Sequence, residues 1–225
     1  MRPDECWYLE DCLLSGTDEC NGGCIRFLEM LNLVQMSNLP QDKWVPIRLV
    51  PGNDREQFLE LKEIKDNIAE WVMGGNSLYI YSPNFGNGKT SWAIKLLLAY
   101  FNSVWAGNGF RCRGVFVSVP AFILKNKEII SDKDPKFTLL KQNIMEADLV
   151  VWDDIASTKL SDYDHQLLLT YINDRCLGCK SNVFTGNADE NQITTFLGGR
   201  LASRVWNSSK VIKFKDYDKR GVKTW

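Results

Sequence analysis

The sequence predicts an α/β protein in which a parallel β-sheet is covered by helices, with a small cysteine-rich segment ahead of it. Three observations support this fold class. Short apolar strands alternate with helical stretches, a glycine-rich loop joins one strand to one helix, and four cysteines lie between Cys6 and Cys24. Strands that alternate with helices form parallel sheets, because each return crossover needs a helix. The 225 residues allow one full domain and a small appendage.

Charge and hydropathy narrow the possible functions. The chain has 27 Lys and Arg against 28 Asp and Glu, a formal net charge of −1, which excludes bulk electrostatic adhesion to DNA or membranes as its whole function. Its uncharged stretches are broken by Gly, Asn or Pro, so no spanning helix is predicted, and its first residues have no apolar leader region. We therefore expect a cytoplasmic protein with no membrane partner and with reduced thiols.

The N-terminal cysteines are the first candidate site. In a reducing compartment clustered thiols indicate metal ligands before disulfides, and four thiolates suit a tetrahedral structural Zn²⁺. The spacing is looser than paired C-x₂-C motifs, which leaves an iron–sulfur cluster or unligated thiols open as alternatives. The predicted zinc ligands are Cys6, Cys12, Cys20 and Cys24.

Helical periodicity and turn residues predict the domain organisation. Apolar residues recur at helical spacing over 25–36, and a second helix is expected from Phe58 to Val72, ended by Gly74 and Gly75. The intervening prolines and Pro51-Gly52 indicate a boundary. We predict a cysteine-rich domain with its linker at 1–50 and an α/β domain at 51–225.

Five apolar segments are predicted as buried strands, because parallel strands covered on both faces are continuously apolar. They are separated by helical stretches that include 91–101 and 164–175. The predicted strands are 78–81, 115–119, 149–152, 183–185 and 211–214.

A phosphate-binding loop follows the first strand. It matches the P-loop pattern G-x-x-x-x-G-K-[ST] in its required strand–loop–helix context, except that Pro83 takes the place of the first glycine. Backbone N–H groups and the helix N-terminus would hold phosphate, Lys89 would approach the β- and γ-phosphates, and Thr90 would ligate Mg²⁺. The predicted ATP-binding residues here are Asn84, Phe85, Gly86, Asn87, Gly88, Lys89, Thr90 and Ser91.

Two carboxylates end a later strand, as a Walker B pattern requires. Asp153 would hold Mg²⁺, directly or through water, and Asp154 would orient or deprotonate the attacking water. Asn187, at the end of another strand, could bind that water or the γ-phosphate. Arg200 and Arg204 lie four residues apart and would share a helix face. An arginine from a neighbouring subunit would stabilise charge on the transferred phosphoryl group.

Together these motifs resemble the DnaC/DnaI-type replicative helicase loaders, AAA+ ATPases that are similar to the transposon-associated IstB ATPases. The resemblance covers roughly residues 58–220. It implies that Asn187 is a sensor 1 residue, Arg204 an arginine finger and Arg220 a sensor 2 residue. It also implies a fold without a C-terminal lid, which agrees with the short stretch after the last predicted strand. Asp154 stands where many AAA+ proteins have Glu, which suggests slow hydrolysis that depends on assembly.

The resemblance further implies the partners. In this family the AAA+ domain grips single-stranded DNA and the small N-terminal domain holds the hexameric helicase. The segment from Phe122 to Lys141 mixes aromatic and basic residues, a composition that suits base stacking and phosphate contact. Acidic residues are interleaved there, so an ordinary solvated helix pair explains it equally well.

The resulting hypothesis is an ATP-dependent loader of a replicative helicase onto single-stranded DNA, with ATP, Mg²⁺ and Zn²⁺ as cofactors and self-association through the arginine finger. An IstB-like transposition regulator is the first alternative, although the cysteine cluster disfavours it. A small-molecule P-loop kinase would need a lid and a substrate pocket that no segment supplies. An adaptor that binds ATP without hydrolysing it is a further alternative.

Overall fold

Five parallel strands form one sheet at the centre of the computed structural model, which describes residues 6–8, 12–21, 23–43, 49–107, 111–128, 134–157 and 159–216. The strand order is β2-β3-β4-β1-β5, and every neighbouring pair is parallel. The α/β fold class predicted from the sequence is confirmed. The strands are β1 Ser77–Tyr81, β2 Gly114–Ser118, β3 Leu149–Asp153, β4 Ser181–Gly186 and β5 Lys210–Lys213.

Eight α-helices lie between and before these strands in the described residues. A short 3₁₀ turn at Gln41–Lys43 and a π-helical turn at Ser203–Asn207 add to them. The helices are α1 Ile25–Met36, α2 Arg55–Asp66, α3 Ile68–Met73, α4 Lys89–Val104, α5 Val119–Glu128, α6 Pro135–Glu146, α7 Asp162–Leu177 and α8 Glu190–Ala202.

The helix expected from Phe58 to Val72 is two helices, and the prediction of one continuous helix is wrong. Asn67 separates α2 from α3 with a φ of −113°. Its side-chain amide donates a hydrogen bond to the Glu63 carbonyl at 3.0 Å, and its backbone N–H donates to the same oxygen at 3.2 Å. Asparagine competes with the helical ladder in this way, which apolar periodicity alone does not reveal.

The two faces of the sheet bury two apolar clusters. Helices α1 to α4 cover one face, where α4 packs over alternate residues of β1 such as Leu78 and Ile80. Helices α5 to α8 cover the other face, against Tyr79, Tyr81 and Trp152. Because β1, β3 and β4 are buried along their whole length, their central residues are apolar or aromatic.

The N-terminal segment packs on the first of these faces. Helix α1 contacts α4 and β2, and the Phe116 N–H donates a hydrogen bond to the Ser37 carbonyl at 2.7 Å. The predicted boundary near residue 50 stays a prediction, although α1 shares an apolar cluster with the sheet. None of the helices in the described ranges is long and apolar enough to cross a membrane.

A fully buried arginine joins α6, α7 and the start of β4. Arg175 donates to the Ile144 and Ala147 carbonyls at 2.7 Å each. It also donates to the Ser181 carbonyl at 2.5 Å and to Asn182 Oδ1 at 2.9 Å. Burial lowers the pKa of Arg175 to about 9. These bonds satisfy carbonyls at the C-terminus of α6 that have no partner within the helix.

Candidate nucleotide-binding site

The predicted phosphate loop lies between β1 and α4, as the motif requires. Two glycines take left-handed backbone conformations, with φ of 67° at Gly86 and 95° at Gly88. Gly88 is the N-cap of α4, so the loop enters the helix through a conformation that other residues adopt at a cost. Helix α4 begins at Lys89, and its first N–H groups therefore face the loop.

Lys89 is almost fully buried, with 6% of its surface exposed. Its ammonium group donates to the Asn84 carbonyl at 2.9 Å and to Asn87 Oδ1 at 3.3 Å. Asn187, which follows β4, donates from its side chain to the Ser82 carbonyl at 2.7 Å and to the Asn84 carbonyl at 3.0 Å. The structure thus brings Asn187 and Lys89 together on the same carbonyl of the loop.

Asp153 lies at the end of β3, beside the start of α4. One carboxylate oxygen, Oδ1, accepts hydrogen bonds from Thr90 Oγ1 at 2.7 Å and from Thr185 Oγ1 at 2.6 Å. Burial raises the pKa of Asp153, and the two hydroxyls and Lys89 oppose that increase. Thr90 and Asp153, the residues predicted to serve Mg²⁺, are therefore in direct contact, and hydroxyl and carboxylate oxygens are the ligands that Mg²⁺ prefers.

Asp154 differs from Asp153 in exposure. It has a left-handed φ of 57°, and its N–H donates to Thr185 Oγ1 at 3.1 Å. Its side chain is exposed and borders a cavity of about 360 Å³. Besides Lys43, that cavity is lined by much of the predicted site: Phe85, Gly86, Asn87, Gly88, Lys89, Thr90, Ser91, Asp154 and Asn187.

Thr185 is the main residue that sequence reasoning missed. It is fully buried, and its hydroxyl is hydrogen-bonded to the Asp153 carboxylate and to the Asp154 N–H. The register pairs Trp152 with Phe184, so the next residues, Asp153 and Thr185, are neighbours across the two strands. Only knowledge of that register could have identified it. Lys43 at the cavity wall lies too far from the motif in sequence to have been found.

The two candidate arginines lie in a different cavity. Arg200 and Arg204 line a space of about 720 Å³ against α7, and no residue of the phosphate loop lines it. Arg204 Nε donates to Asn173 Oδ1 at 3.2 Å. Helix α8 is kinked at Gly198, where φ is 72°. Arg200 and Arg204 lie close together, as predicted. Neither of them lines the cavity beside the phosphate loop of the same chain. Arg220 lies outside the described residues.

The four N-terminal cysteines share one small cavity. Cys6, Cys12, Cys20 and Cys24 line a space of about 70 Å³, and all four are free thiols. However, no three His, Cys, Asp or Glu side chains of the described residues are arranged to hold a metal ion. The donor set fits zinc in number and chemistry, but its geometry here is not that of a ligand shell.

Of the two interpretations of α5 and α6, the structure contradicts base stacking by their aromatic residues. Phe122 and Phe137 are 3% and 1% exposed, and the Phe122 ring centroid lies 5.4 Å from that of Phe137 and 5.7 Å from that of Tyr171. They pack against the sheet and cannot stack on bases. Lys125 and Lys127 pair with Asp134 and Asp164, so this pair of helices follows the alternative of an ordinary solvated surface.

The fold and the loop together define an α/β protein with a phosphate-binding loop between β1 and α4. Solved structures agree. The DnaC helicase loader superposes with a TM-score of 0.61 at 19% identity, covering 78% of this chain and 100% of that one. DnaI gives 0.57 at 18% identity, covering 79% and 95%. AMPPCP-bound DnaA from Aquifex aeolicus gives 0.55 at 19% identity, covering 74% of this chain and 48% of that one.

These similarities show the fold that the sequence resemblance implied, that of the DnaC/DnaI-type loaders. No protein-family model matches the chain, and no curated protein matches it significantly.

Proposed function

We propose that the protein is an ATP-dependent loader of a replicative hexameric helicase onto single-stranded DNA. One observation supports this most: the phosphate loop and Asp153 meet at Thr90 on the fold shared with DnaC and DnaI. One solved relative of similar fold is described as bound to AMPPCP and single-stranded DNA, which supports both ligands for this chain.

The proposed nucleotide chemistry follows from the loop cavity. Lys89 and the N–H groups of the loop bind the β- and γ-phosphates of ATP, and Thr90 with Asp153 holds Mg²⁺, which supplies positive charge for the phosphates. Asp154 faces the same cavity from an exposed position and orients the attacking water. Asn187, already bonded to the loop, acts as the sensor of the γ-phosphate.

Binding of ATP is tested with Lys89→Ala in the full-length protein. Removal of the buried ammonium should weaken Mg²⁺–ATP binding by about 100-fold, as expected for a desolvated charge–phosphate contact of about 3 kcal/mol. Lys95→Ala, in the same helix but in a cavity that no residue of the phosphate loop lines, is the matched control and should bind normally. Unchanged ATP affinity in Lys89→Ala would contradict the site assignment.

Arg204 is proposed to act on the ATP of a neighbouring subunit, since it lines a cavity apart from its own phosphate loop. Arg204→Ala should bind ATP normally but hydrolyse it slowly. Mixing Arg204→Ala with Lys89→Ala should restore part of the activity, because one variant supplies the nucleotide site and the other supplies the arginine. Absence of any recovery at concentrations where the wild type assembles would argue against action between subunits.

We extend the proposal to a Zn²⁺ ion held by Cys6, Cys12, Cys20 and Cys24 in the helicase-binding segment. Four thiols around one cavity support it, and metal binding would draw them into a tetrahedron and stabilise a segment with little core of its own. Elemental analysis of purified protein should give one zinc per chain, and Cys20→Ser should lose it. Iron in its place would indicate a cluster.

The helicase is the decisive partner. Co-purification of the full-length protein with a replicative helicase, with ATP present, should yield a complex that deposits the helicase on circular single-stranded DNA. Failure to bind any replicative helicase would refute the loader while leaving the ATPase intact.

A further inference from the structure

A buried carboxylate outside the phosphate loop is bonded to the chain that borders the loop. Asp54 is fully buried, and its two oxygens accept hydrogen bonds from the backbone N–H groups of Lys215 at 2.6 Å and Asp216 at 3.2 Å. Asp54 is also the N-cap residue of α2, yet its side chain makes no capping bond to that helix. An aspartate at this position normally caps its own helix; here the carboxylate bonds to the segment after β5.

Asn53, next to Asp54, adds two hydrogen bonds to segment 215–216 in which Asn53 is the donor. Asn53 donates from its backbone N–H to Asp216 Oδ2 at 3.2 Å and from its side chain to Asp216 Oδ1 at 3.4 Å. The pair 53–54 and the pair 215–216 thus exchange four hydrogen bonds. They join the linker that enters α2 to the chain that leaves β5.

The other side of segment 215–216 is bonded to the phosphate loop. Asn84 Nδ2 donates to the Lys215 carbonyl at 3.4 Å and the Asp216 carbonyl at 3.2 Å. Asn87 Nδ2 donates to the Asp216 carbonyl at 3.4 Å. The peptide unit between Lys215 and Asp216 therefore accepts from the loop through its C=O and donates to Asp54 through its N–H. Hydrogen bonds in such a chain polarise and strengthen one another.

The chain of bonds ends at the group that would bind phosphate. The two asparagines that hold segment 215–216 are also the partners of Lys89, which donates to the Asn84 carbonyl and to Asn87 Oδ1. A phosphate that took Lys89 as its partner would compete with both bonds. Lys89 is therefore connected through Asn84 and Asn87 to segment 215–216, and through that segment to Asp54.

From this continuous set of bonds we infer that Asp54 is a positioning residue of the nucleotide site. Asp54 holds segment 215–216 in the position in which the phosphate loop binds ATP. Through the same bonds, ATP bound at the loop affects residues 49–54, which lead into α2. The inference rests on the proposed nucleotide function. Asp54 does not contact the nucleotide; it acts through the two asparagines of the loop. Residues 49–54 follow the cysteine-rich segment in sequence, so binding of ATP at the phosphate loop would influence the segment to which the helicase is proposed to bind.

The test compares Asp54→Asn with the wild type and with Asp66→Asn in the full-length protein. Asparagine keeps the shape but replaces one acceptor oxygen by an NH₂ group, which cannot accept from a backbone N–H. The Kd for Mg²⁺–ATP should rise about tenfold in Asp54→Asn. Asp66, an exposed carboxylate at the end of α2 that pairs with Lys62 and Lys65, is the matched control, and its variant should bind ATP as the wild type does.

A second measurement separates positioning from a merely structural role. Amide hydrogen exchange of residues 49–54 and 215–216 should change when ATP binds to the wild type, and this response should be lost in Asp54→Asn while exchange in α7 stays unchanged. A purely structural role would lower thermal stability and leave the response to ATP intact. If Asp54→Asn does not fold, exchange in the wild type decides alone, and an absence of any ATP-dependent change at these amides overturns the inference.

The outcomes distinguish this inference from the proposed function. If the wild type does not bind ATP, the proposed function fails. If the wild type binds ATP, Lys89→Ala does not, and Asp54→Asn binds with wild-type affinity, only the role of Asp54 is refuted.

Discussion

Thr185→Val is the substitution that tests the site geometry most directly. Valine has nearly the volume of threonine, so packing at this fully buried position is retained while the hydroxyl is lost. The hydroxyl makes two bonds, one to Asp153 Oδ1 at 2.6 Å and one from the Asp154 N–H at 3.1 Å. A bond to a charged group contributes about 1.5–3 kcal/mol, and an unpaired buried N–H costs about 1–3 kcal/mol.

Because these terms overlap and the protein relaxes, we expect a loss of about 2–4 kcal/mol in the free energy of unfolding. In a chain of this size that corresponds to a fall of roughly 4–16 °C in melting temperature. The carboxylate of Asp153 would also lose one of its two orienting hydroxyls, and outer-shell changes of this kind typically lower metal affinity or activity by about 10–100-fold.

The pH dependence gives the experiment a second readout. Thr185 opposes the effect of burial on the pKa of Asp153, so its removal should raise that pKa further. The acidic limb of the pH–rate profile for ATP hydrolysis should then move to higher pH, because Asp153 must be ionised to hold Mg²⁺.

The assay is thermal and urea unfolding together with steady-state ATP hydrolysis. Thr185→Ser, which keeps the hydroxyl, should recover most of both properties. Thr194→Val, which removes an exposed hydroxyl in α8, is the control and should behave as the wild type. A Thr185→Val protein that unfolds within about 1 °C of the wild type and hydrolyses ATP at the normal rate would refute the role assigned to this residue.

Two further substitutions test the core and the acidic site. Arg175→Met should lower the free energy of unfolding by about 3–5 kcal/mol, because it leaves several buried carbonyls without their donor. Arg200 is exposed, and Arg200→Met should change that free energy by less than about 0.5 kcal/mol. Equal effects of the two substitutions in urea unfolding would contradict the structural role of Arg175. Asp153→Asn should abolish hydrolysis but stabilise the nucleotide-free protein at neutral pH. The pKa of Asp153 is raised in the folded state, so the wild type loses stability as pH rises from the unfolded-state pKa through the folded-state pKa. Asp153→Asn cannot ionise and should not lose stability over that range. If its unfolding curves from pH 3 to 8 match those of the wild type, the predicted stabilisation is wrong.

Much of the fold could be predicted because its signals are local. Apolar runs placed all five strands within two residues of their observed limits, since the central residues of strands covered by helices are apolar. The one error in a helix came from Asn67, whose side chain bonds to the backbone and interrupts a helix that the apolar spacing would have continued.

The site was predictable where one motif carries it and not where distant segments meet. Consecutive residues placed Lys89 and Thr90 in one loop, and a strand end placed Asp153 beside it, while their roles with ATP and Mg²⁺ stay predictions. The sequence left two interpretations of Phe122 and Phe137 open, because composition does not tell which side of a helix faces the sheet. Arg204 was found beside Arg200, but the sequence could not show that both lie apart from the loop cavity.

By itself the sequence determined the α/β class, the phosphate loop and the acidic strand end, because each depends on residue type at short spacing along the chain. Only the tertiary structure decided that Thr185 bonds to Asp153 and that Asp54 bonds to segment 215–216. Those contacts depend on strand register and on the path of the chain after β5. A hydrogen bond requires two groups within about 3 Å of each other, and residues 161 positions apart meet that condition only when the whole sheet is in place.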